Sequence, residues 1–446
     1  MCPVFISAMN DKNSLQRQVT GIILGCGSRG QTYAEYARHL PNRFRLVAIA
    51  EPRPSVRHKL QQLYSLDDQH VYDDWHRLIA PDVSRLADCA IITLPDREHY
   101  EAALELAAKG YHILLEKPMA TKLEHCKRIV AVCQEHNVIL AVCHVLRYLP
   151  VVKKIKQLLD NNVIGKLVSI QHIEGVGFWS FAHAYVRGNW HSERDSSFSL
   201  LTKCCHDLDL IQYWMQPRRC IYVSSFGKLK HFTKENKPDG ASERCLTCSV
   251  EQTCPYSAKK LYLDIPNRGF PVSVVVPDIE DGEDRTSIRT KVIKALETGH
   301  YGKCVYGDCD NDVVDQQVVI LNFDDGSTAT MQMVAFTQHS WRRTSRLFGT
   351  HGELTWSGEN TIEHYDFLKQ TRTIYDETDL SSSGIMTSGH ADADFFAMDS
   401  FIRAVASNRS DLICTTPQDS LTSHILAFAA EHARRENRVC SIDEMM

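Results

Sequence analysis

No apolar run in the 446-residue chain approaches the roughly 18–20 residues that cross a bilayer, which reads against an integral membrane protein. Charge of one sign is also scarce in blocks. Lys plus Arg (50) against Asp plus Glu (55) gives −5, so the basic footprint of a nucleic-acid binder is missing. The opening MCPVFISAMNDKNSLQRQ lacks the charged segment and apolar core of a secretory leader, and residues 10–18 hold nothing periodic to bury. Residues 1–18 therefore read as a polar tail, with folding expected to begin near Val19. Sixteen cysteines spread over so long a chain are not the dense framework of a small secreted domain; reduced thiols and a cytoplasmic location fit better. No internal repeat is visible.

What is present is ordinary for a globular protein: 43% apolar and 24% charged residues. The length exceeds the ~250–300 residues at which one core stops growing, so two domains are expected.

From Val19 the chain alternates strand and helix. Val-Thr-Gly-Ile-Ile-Leu leads into Gly25-Cys26-Gly27-Ser28-Arg29-Gly30 and then an amphipathic run with Tyr33, Ala37 and Leu40 at helical spacing. A second apolar run, from Phe44 to Ala50, ends at Glu51. Strands follow at Asp88–Thr93, His112–Leu115 and Val138–Val145, separated by helices from Glu98 to Lys109 and from the Thr121-x-x-Glu124 capping-box spacing to His136. Such alternation implies a doubly wound parallel sheet. In the first turn the glycines let the backbone run close to a pyrophosphate, and the helix N-terminus offers free N–H groups and a positive dipole end. Glu51, 21 residues after Gly30, is at the distance of a ribose-binding acid. It repels a 2′-phosphate, which favours NAD; Arg53, two residues on, is placed to neutralise one, which leaves NADP open.

The segment from Tyr111 through Glu116-Lys117-Pro118 to Thr121 resembles the Glu-Lys-Pro signature of the Gfo/Idh/MocA oxidoreductases, nicotinamide-dependent sugar and polyol dehydrogenases. Other marks follow in order: the Gly25–Gly30 turn, Thr93-Leu-Pro95-x-x-x-His99, Cys143-His144-x-x-Arg147-Tyr148-x-Pro150, Ile164-Gly165-Lys166 and His206-Asp207-Leu208-Asp209. The resemblance covers most of residues 19–356 and is looser beyond 220. It implies a Rossmann domain at 19–148, then an α/β domain at 149–446 with a large, mostly antiparallel open sheet whose open face joins a homo-dimer or homo-tetramer. The expected cofactor site comprises Gly25, Gly27, Ser28, Arg29, Gly30, Glu51, Arg53, Thr93, Pro95, His99, Glu116 and Lys117.

Lys117 follows a strand at the crevice where doubly wound sheets bind ligands, and its ammonium can orient a substrate hydroxyl. The resemblance places it beside the nicotinamide. Read as a helix, Ser199 to Trp214 puts Lys203 near His206 at i+3 and Asp207 at i+4. His206 is assigned as the acid–base, since imidazole exchanges protons near neutral pH. The family often has an aspartate four residues before this histidine; here Thr202 stands there, and Lys203 is the neighbour expected to bind substrate or tune charge. Weaker candidates are Arg147 and Tyr148, for substrate contact or domain linkage, Trp190 and His191, for a sugar pocket or plain packing, and His390 before a helix. The function expected is hydride transfer between NAD(P) and a sugar, inositol or related polyol. An NAD-retaining glycosidase and a non-catalytic dinucleotide sensor are the alternatives.

In the second half, Val318–Phe323 and Thr328–Phe336 read as a hairpin, a second strand pair turns at Gly349–Gly352, and Asp392–Ser407 and Gln418–Glu436 read as helices. An insertion at about 227–310 carries Cys245-x2-Cys248-x5-Cys254-Pro255, which resembles half of a zinc site or part of an iron–sulfur pattern. Tetrahedral zinc needs four ligands and three are local, with Cys304 or Cys309 available as a fourth. Without a second CxxC the reading favours plain reduced thiols, and no metal ligand is assigned.

Overall fold

The computed structural model describes residues 17–264, 269–279, 282–376 and 392–446. His390 and most of the expected polar tail lie outside them. The first sheet contains β1 (Val19–Leu24), β2 (Phe44–Ala50), β3 (Val71–Tyr72), β4 (Cys89–Ile92), β5 (His112–Leu115) and β6 (Leu140–Val142). They are parallel, in the order β3-β2-β1-β4-β5-β6. Every residue of β4 is buried, as expected of a strand with helices on both faces. The order reverses between β1 and β4, so a crevice opens beyond their C-terminal ends. The helix after Thr121 starts later than its capping-box spacing suggests: it runs Leu123–Glu135, its N-cap is Lys122, and no side chain caps it.

The second sheet contains β7 (Leu167–Gly175), β8 (Cys220–Lys228), β9 (Gln316–Phe323), β10 (Thr328–Val334), β11 (Arg342–Gly349), β12 (Gly352–Trp356), β13 (Thr361–Asp366), β14 (Thr371–Asp376) and β15 (Cys440–Ser441). Its order is β14-β13-β12-β11-β7-β10-β9-β8-β15, antiparallel except for β7 beside β10. The expected hairpins are β9–β10 and β11–β12. Inward residues such as Val319, Leu321 and Met331 are buried in a core shared with the Ser199–Met215 and Pro417–Glu436 helices. Tyr222, Phe226 and Ile320 are exposed on the opposite face.

The chain does not respect a boundary at residue 148. The helix Asp392–Ser407, assigned from sequence to the second domain, packs into the first: Phe395, Met398 and Phe401 share a core with Tyr33, Tyr36 and Phe44. Two ion pairs anchor it there, Arg29 to Asp394 (2.6 Å) and Arg43 to Asp399 (2.7 Å). The apolar stripe of a helix shows that one face is buried, not which sheet covers it.

Arg147 is the main polar tie between the halves, and it is 1% exposed. Its guanidinium meets Asp209 through two hydrogen bonds of 2.7 Å and also donates to the Cys414 carbonyl (3.1 Å) and Asp419 (3.2 Å). Of its two expected roles, domain linkage matches this geometry. Truncating one partner strands the other charge in the interior, so Arg147→Ala should lower the unfolding free energy by about 3–5 kcal/mol, read from urea denaturation midpoints.

Candidate active site

Three glycines of the first turn are required for three different reasons. Gly25 has φ +85°, and a Cβ there would lie 2.6 Å from the Thr93 carbonyl oxygen. At Gly30 a Cβ would meet the Gly25 carbonyl oxygen at 2.2 Å, so helix and strand touch there. Gly27 differs: a Cβ would meet only Arg53, at 4.0 Å. Among the described residues nothing needs Gly27 to be bare, whereas a pyrophosphate approaching the turn does. Ser28 is exposed at the first position of the Ser28–His39 helix, whose first-turn N–H groups have no intrahelical partner. Thr93 steadies the turn by donating its hydroxyl to the Leu24 carbonyl (3.1 Å) and to that of Gly25.

Glu51 follows β2 at the C-terminal edge of the first sheet. It is 2% exposed and accepts N–H bonds from Cys26 (2.9 Å) and Arg53 (3.0 Å). The Arg53 side chain also clasps both carboxylate oxygens, at 2.6 and 2.9 Å. Burial alone would raise this carboxyl, but Arg53 and the backbone donors hold it below the usual range.

Three expected cofactor contacts turn inward instead. The Arg29 side chain is committed to Glu116 (2.6 Å), Asp394 and Tyr33, so only its backbone N–H faces the turn. Glu116, 6% exposed, accepts from Arg29, from the Tyr33 hydroxyl (2.9 Å) and from the Lys117 N–H (2.9 Å). It holds the backbone that carries Lys117. His99 is fully buried with its ring nitrogens 2.8 Å from the Pro118 carbonyl oxygen and 2.9 Å from that of Leu94. It packs between the turn after β4, which contains Pro95, and the Glu-Lys-Pro turn.

Lys117 crosses the crevice. Its Nζ donates to the Thr202 carbonyl oxygen at 2.8 Å, in the first turn of the Ser199–Met215 helix. His206, one turn further along, is 4% exposed, and its ring packs edge-on against that of His144, centroids 5.6 Å apart. His144 in turn packs against His424 at 5.5 Å. Burial, with Arg147 and Lys117 near His144 and with His144 near His424, pushes both of these histidines down to about 3. They are neutral at physiological pH. The His424 Nε2 accepts the Met119 N–H (2.9 Å), so its Nδ1 carries the proton that it gives to the Ser420 carbonyl. Ser423 donates to that same carbonyl, so it accepts from His144 Nε2 (3.2 Å), and the unprotonated Nδ1 of His144 is left buried without a hydrogen-bond partner.

Beneath Lys203 and His206 lies a buried charge network. Glu174 and His172 on β7 pair across the strands with Arg343 and Ser345 on β11. Arg343 donates to Asp207 (2.8 Å) and lies 3.3 Å from Glu174; Lys203 Nζ lies 3.2 Å from Glu174, and His172 bridges Asp207 (2.9 Å) and Ser345 (2.8 Å). Burial, reinforced by Arg343 and Lys117 and opposed by Glu174, lowers the Lys203 ammonium below its usual range. For Asp207, burial raises the carboxyl but is outweighed by Arg343 and His172, which bring it down to about 2. The Thr202 hydroxyl turns back to the Phe198 and Ser199 carbonyls and meets the Tyr185 side chain, and the acid near Lys203 comes from β7. Sequence reading missed Glu174, Arg343, His172 and His424. A signal existed on β7, where Ile170, His172 and Glu174 occupy alternate buried positions and two of them are polar.

The remaining candidates make local or inter-domain contacts. Trp190 donates its indole N–H to Asp96 (3.0 Å), which also accepts from Ser196. A loop of the second domain thereby closes on the first. His191 sits beside the Gly188 carbonyl and the His300 ring, and Tyr148 is buried with its hydroxyl accepting the Cys414 N–H (3.2 Å).

Residues 20–144 match the model of an oxidoreductase family's NAD-binding Rossmann fold, and residues 156–441 match that family's C-terminal alpha/beta domain. The chain belongs to the Gfo/Idh/MocA family. Along most of its length it resembles the Bacillus subtilis protein described as putative oxidoreductase YteT, 21% identical over 381 residues, 79% of this chain and 83% of that protein. Two solved structures of similar fold are an Agrobacterium radiobacter oxidoreductase in complex with NAD+, L-tartaric acid and magnesium, and apo scyllo-inositol dehydrogenase from Lactobacillus casei. The first has TM-score 0.68 at 15% identity, over 96% of this chain and 100% of that one; the second has 0.63 at 15%, over 96% and 99%. Membership makes this chain an NAD(P)-dependent oxidoreductase, and the bare turn at Gly27 fits a dinucleotide.

Substitutions in the turn should separate fold from binding. Gly27→Ala is expected to leave the unfolding midpoint unchanged and weaken dinucleotide binding about tenfold or more by calorimetry. Gly30→Ala, which forces a 2.2 Å contact, should instead destabilise the fold, by about 1–3 kcal/mol. The network predicts an acid limb as well. Because the folded-state pKa of Asp207 is depressed to about 2, its contribution is present above the unfolded value near ~4 and is lost as pH falls from there through the folded value. Denaturation midpoints measured across that window should fall, and Asp207→Asn should flatten the fall.

Proposed function

We propose that this oxidoreductase transfers hydride between a nicotinamide and a CH–OH carbon of a sugar, inositol or related polyol, with NAD preferred over NADP. The observation that carries this reading is the 2.8 Å bond from Lys117 to Thr202, which sets an ammonium across the crevice one helical turn from the imidazole of His206. When bound, the nicotinamide accepts or gives the hydride at its C4. Gly27 and the first-turn N–H groups hold the pyrophosphate, and Glu51 accepts from the ribose hydroxyls. A 2′-phosphate would have to displace the clasp between Arg53 and Glu51, which supports the preference for NAD.

In the direction of alcohol oxidation, Lys117 donates a hydrogen bond to the reacting hydroxyl oxygen and His206 takes its proton as the adjacent C–H bond breaks. The neutral rings of His144 and His424 pack behind His206, so no second imidazolium competes for that proton. Lys203, fixed by Glu174, adds positive charge near the developing oxyanion. The inositol dehydrogenase among the structural neighbours and the tartaric acid held by another support a polyhydroxylated substrate. The exposed Tyr222, Phe226 and Ile320 on the second sheet support assembly into a homo-dimer or homo-tetramer.

A panel of sugars and inositols, incubated with NAD or NADP, tests this through the absorbance of reduced nicotinamide. At least one polyol should turn over, faster with NAD. Lys117→Ala should cut kcat by about 10²–10⁴ while dinucleotide affinity changes by no more than a few-fold. An unchanged rate in that variant removes Lys117 from the chemistry; silence across the panel despite tight dinucleotide binding removes the polyol assignment.

A further inference from the structure

The sulfur-rich insertion plays no part in hydride transfer, yet it converges on one point. Cys245 opens a short 3₁₀ turn, Cys245–Thr247, and Cys248 follows it; a second turn, Glu251–Thr253, delivers Cys254. An isolated bridge between Arg244 and Lys303 brings in a distant segment, and the Cys304 N–H donates to the Glu243 carbonyl (2.8 Å). The result is a cavity of about 110 Å³ framed by Cys245, Cys248, Cys254, Cys304 and Arg187. Cys309 does not line it; its thiol points to the Cys304 carbonyl (3.1 Å). The structure thus chooses the fourth sulfur between the two that the sequence leaves open.

Arg187 supplies a second, independent observation. It is 1% exposed, and its hydrogen bonds go to the carbonyls of Lys303 (2.8 Å) and Tyr256 (2.8 Å) and to the Cys245 sulfur (3.4 Å), while Nη1 has no hydrogen-bond partner among the described residues. A guanidinium buried against carbonyls and thiols calls for negative charge nearby. Four thiolates around a metal centre provide it.

The space between the sulfurs selects the centre. Zinc–sulfur bonds of about 2.3 Å in a tetrahedron bring thiolates to roughly 3.8 Å of one another. Here the four cysteines line a cavity of about 110 Å³. A cubane cluster holds its thiolates further apart than a single ion does, and it needs a cavity among them. CxxC followed by Cys-Pro is also an iron–sulfur spelling.

We propose that Cys245, Cys248, Cys254 and Cys304 ligate a [4Fe–4S] cluster with a structural role. Ligation forms one iron–sulfur bond per cysteine and releases the thiol protons to solvent, with no electron exchanged between cluster and protein. The cluster staples Cys304 to the 245–254 segment beside Arg187, at the root of the loop that carries Trp190 to Asp96.

The full chain, expressed with iron and purified without oxygen or chelator, should contain about four iron and four sulfide per chain, with a broad visible absorbance that dithionite bleaches. Cys248→Ser and Cys254→Ser should each lose more than half of that iron, and Cys309→Ser should retain it. Dinucleotide binding and circular dichroism report whether each variant folds; where one does not, the metal content of the unaltered chain decides. One zinc per chain overturns the cluster. So does the absence of iron after reconstitution with ferrous iron and sulfide, or iron that persists in Cys254→Ser.

Discussion

The bond from the Lys117 ammonium to the Thr202 carbonyl is the point on which the crevice is built. It joins the turn after β5 to the first turn of the Ser199–Met215 helix, two elements from different domains and 85 residues apart in the chain. A lysine side chain is long and loses considerable rotamer freedom when held, so such a bond persists only if both ends are already fixed.

Buried ions fix both ends. On the Rossmann side Glu116 is held by Arg29, Tyr33 and the Lys117 N–H, and Arg29 is held in turn by Asp394 from the far end of the chain. On the other side the helix is gripped twice, by Arg147 on Asp209 and by Arg343 on Asp207. Buried pairs contribute little net stability because desolvation offsets most of their attraction, but unlike apolar contacts they are directional and cannot slide. A hydride-transfer site benefits from that property, since small displacements of the reacting groups are costly.

The same logic extends outward. Trp190 and Ser196 reach back to Asp96, so the second domain closes over the mouth of the crevice through hydrogen bonds. Arg187, at the start of that loop, is rooted among the insertion's cysteines. The insertion has a small core of its own around Leu261, Tyr262, Val292 and Leu296. A core of that size supplies limited stability, and small units commonly need a staple.

The sequence by itself determined what depends on local order. Glycines at 25, 27 and 30, an acid at 51, a lysine after a buried strand and a histidine on a helix specify a dinucleotide fold and the groups proposed to react, because each is set by spacing within one turn or one βα unit. Tertiary structure decided what depends on partners remote in the chain: that Arg29, Glu116 and His99 turn inward as scaffolding, that Asp392–Ser407 belongs with the first sheet, and that Glu174 from β7 faces Lys203. The same holds for Cys304 joining Cys245. Periodicity shows that a face is buried, and only the packed chain shows against what, because charge and shape complementarity between distant segments leave no spacing to read.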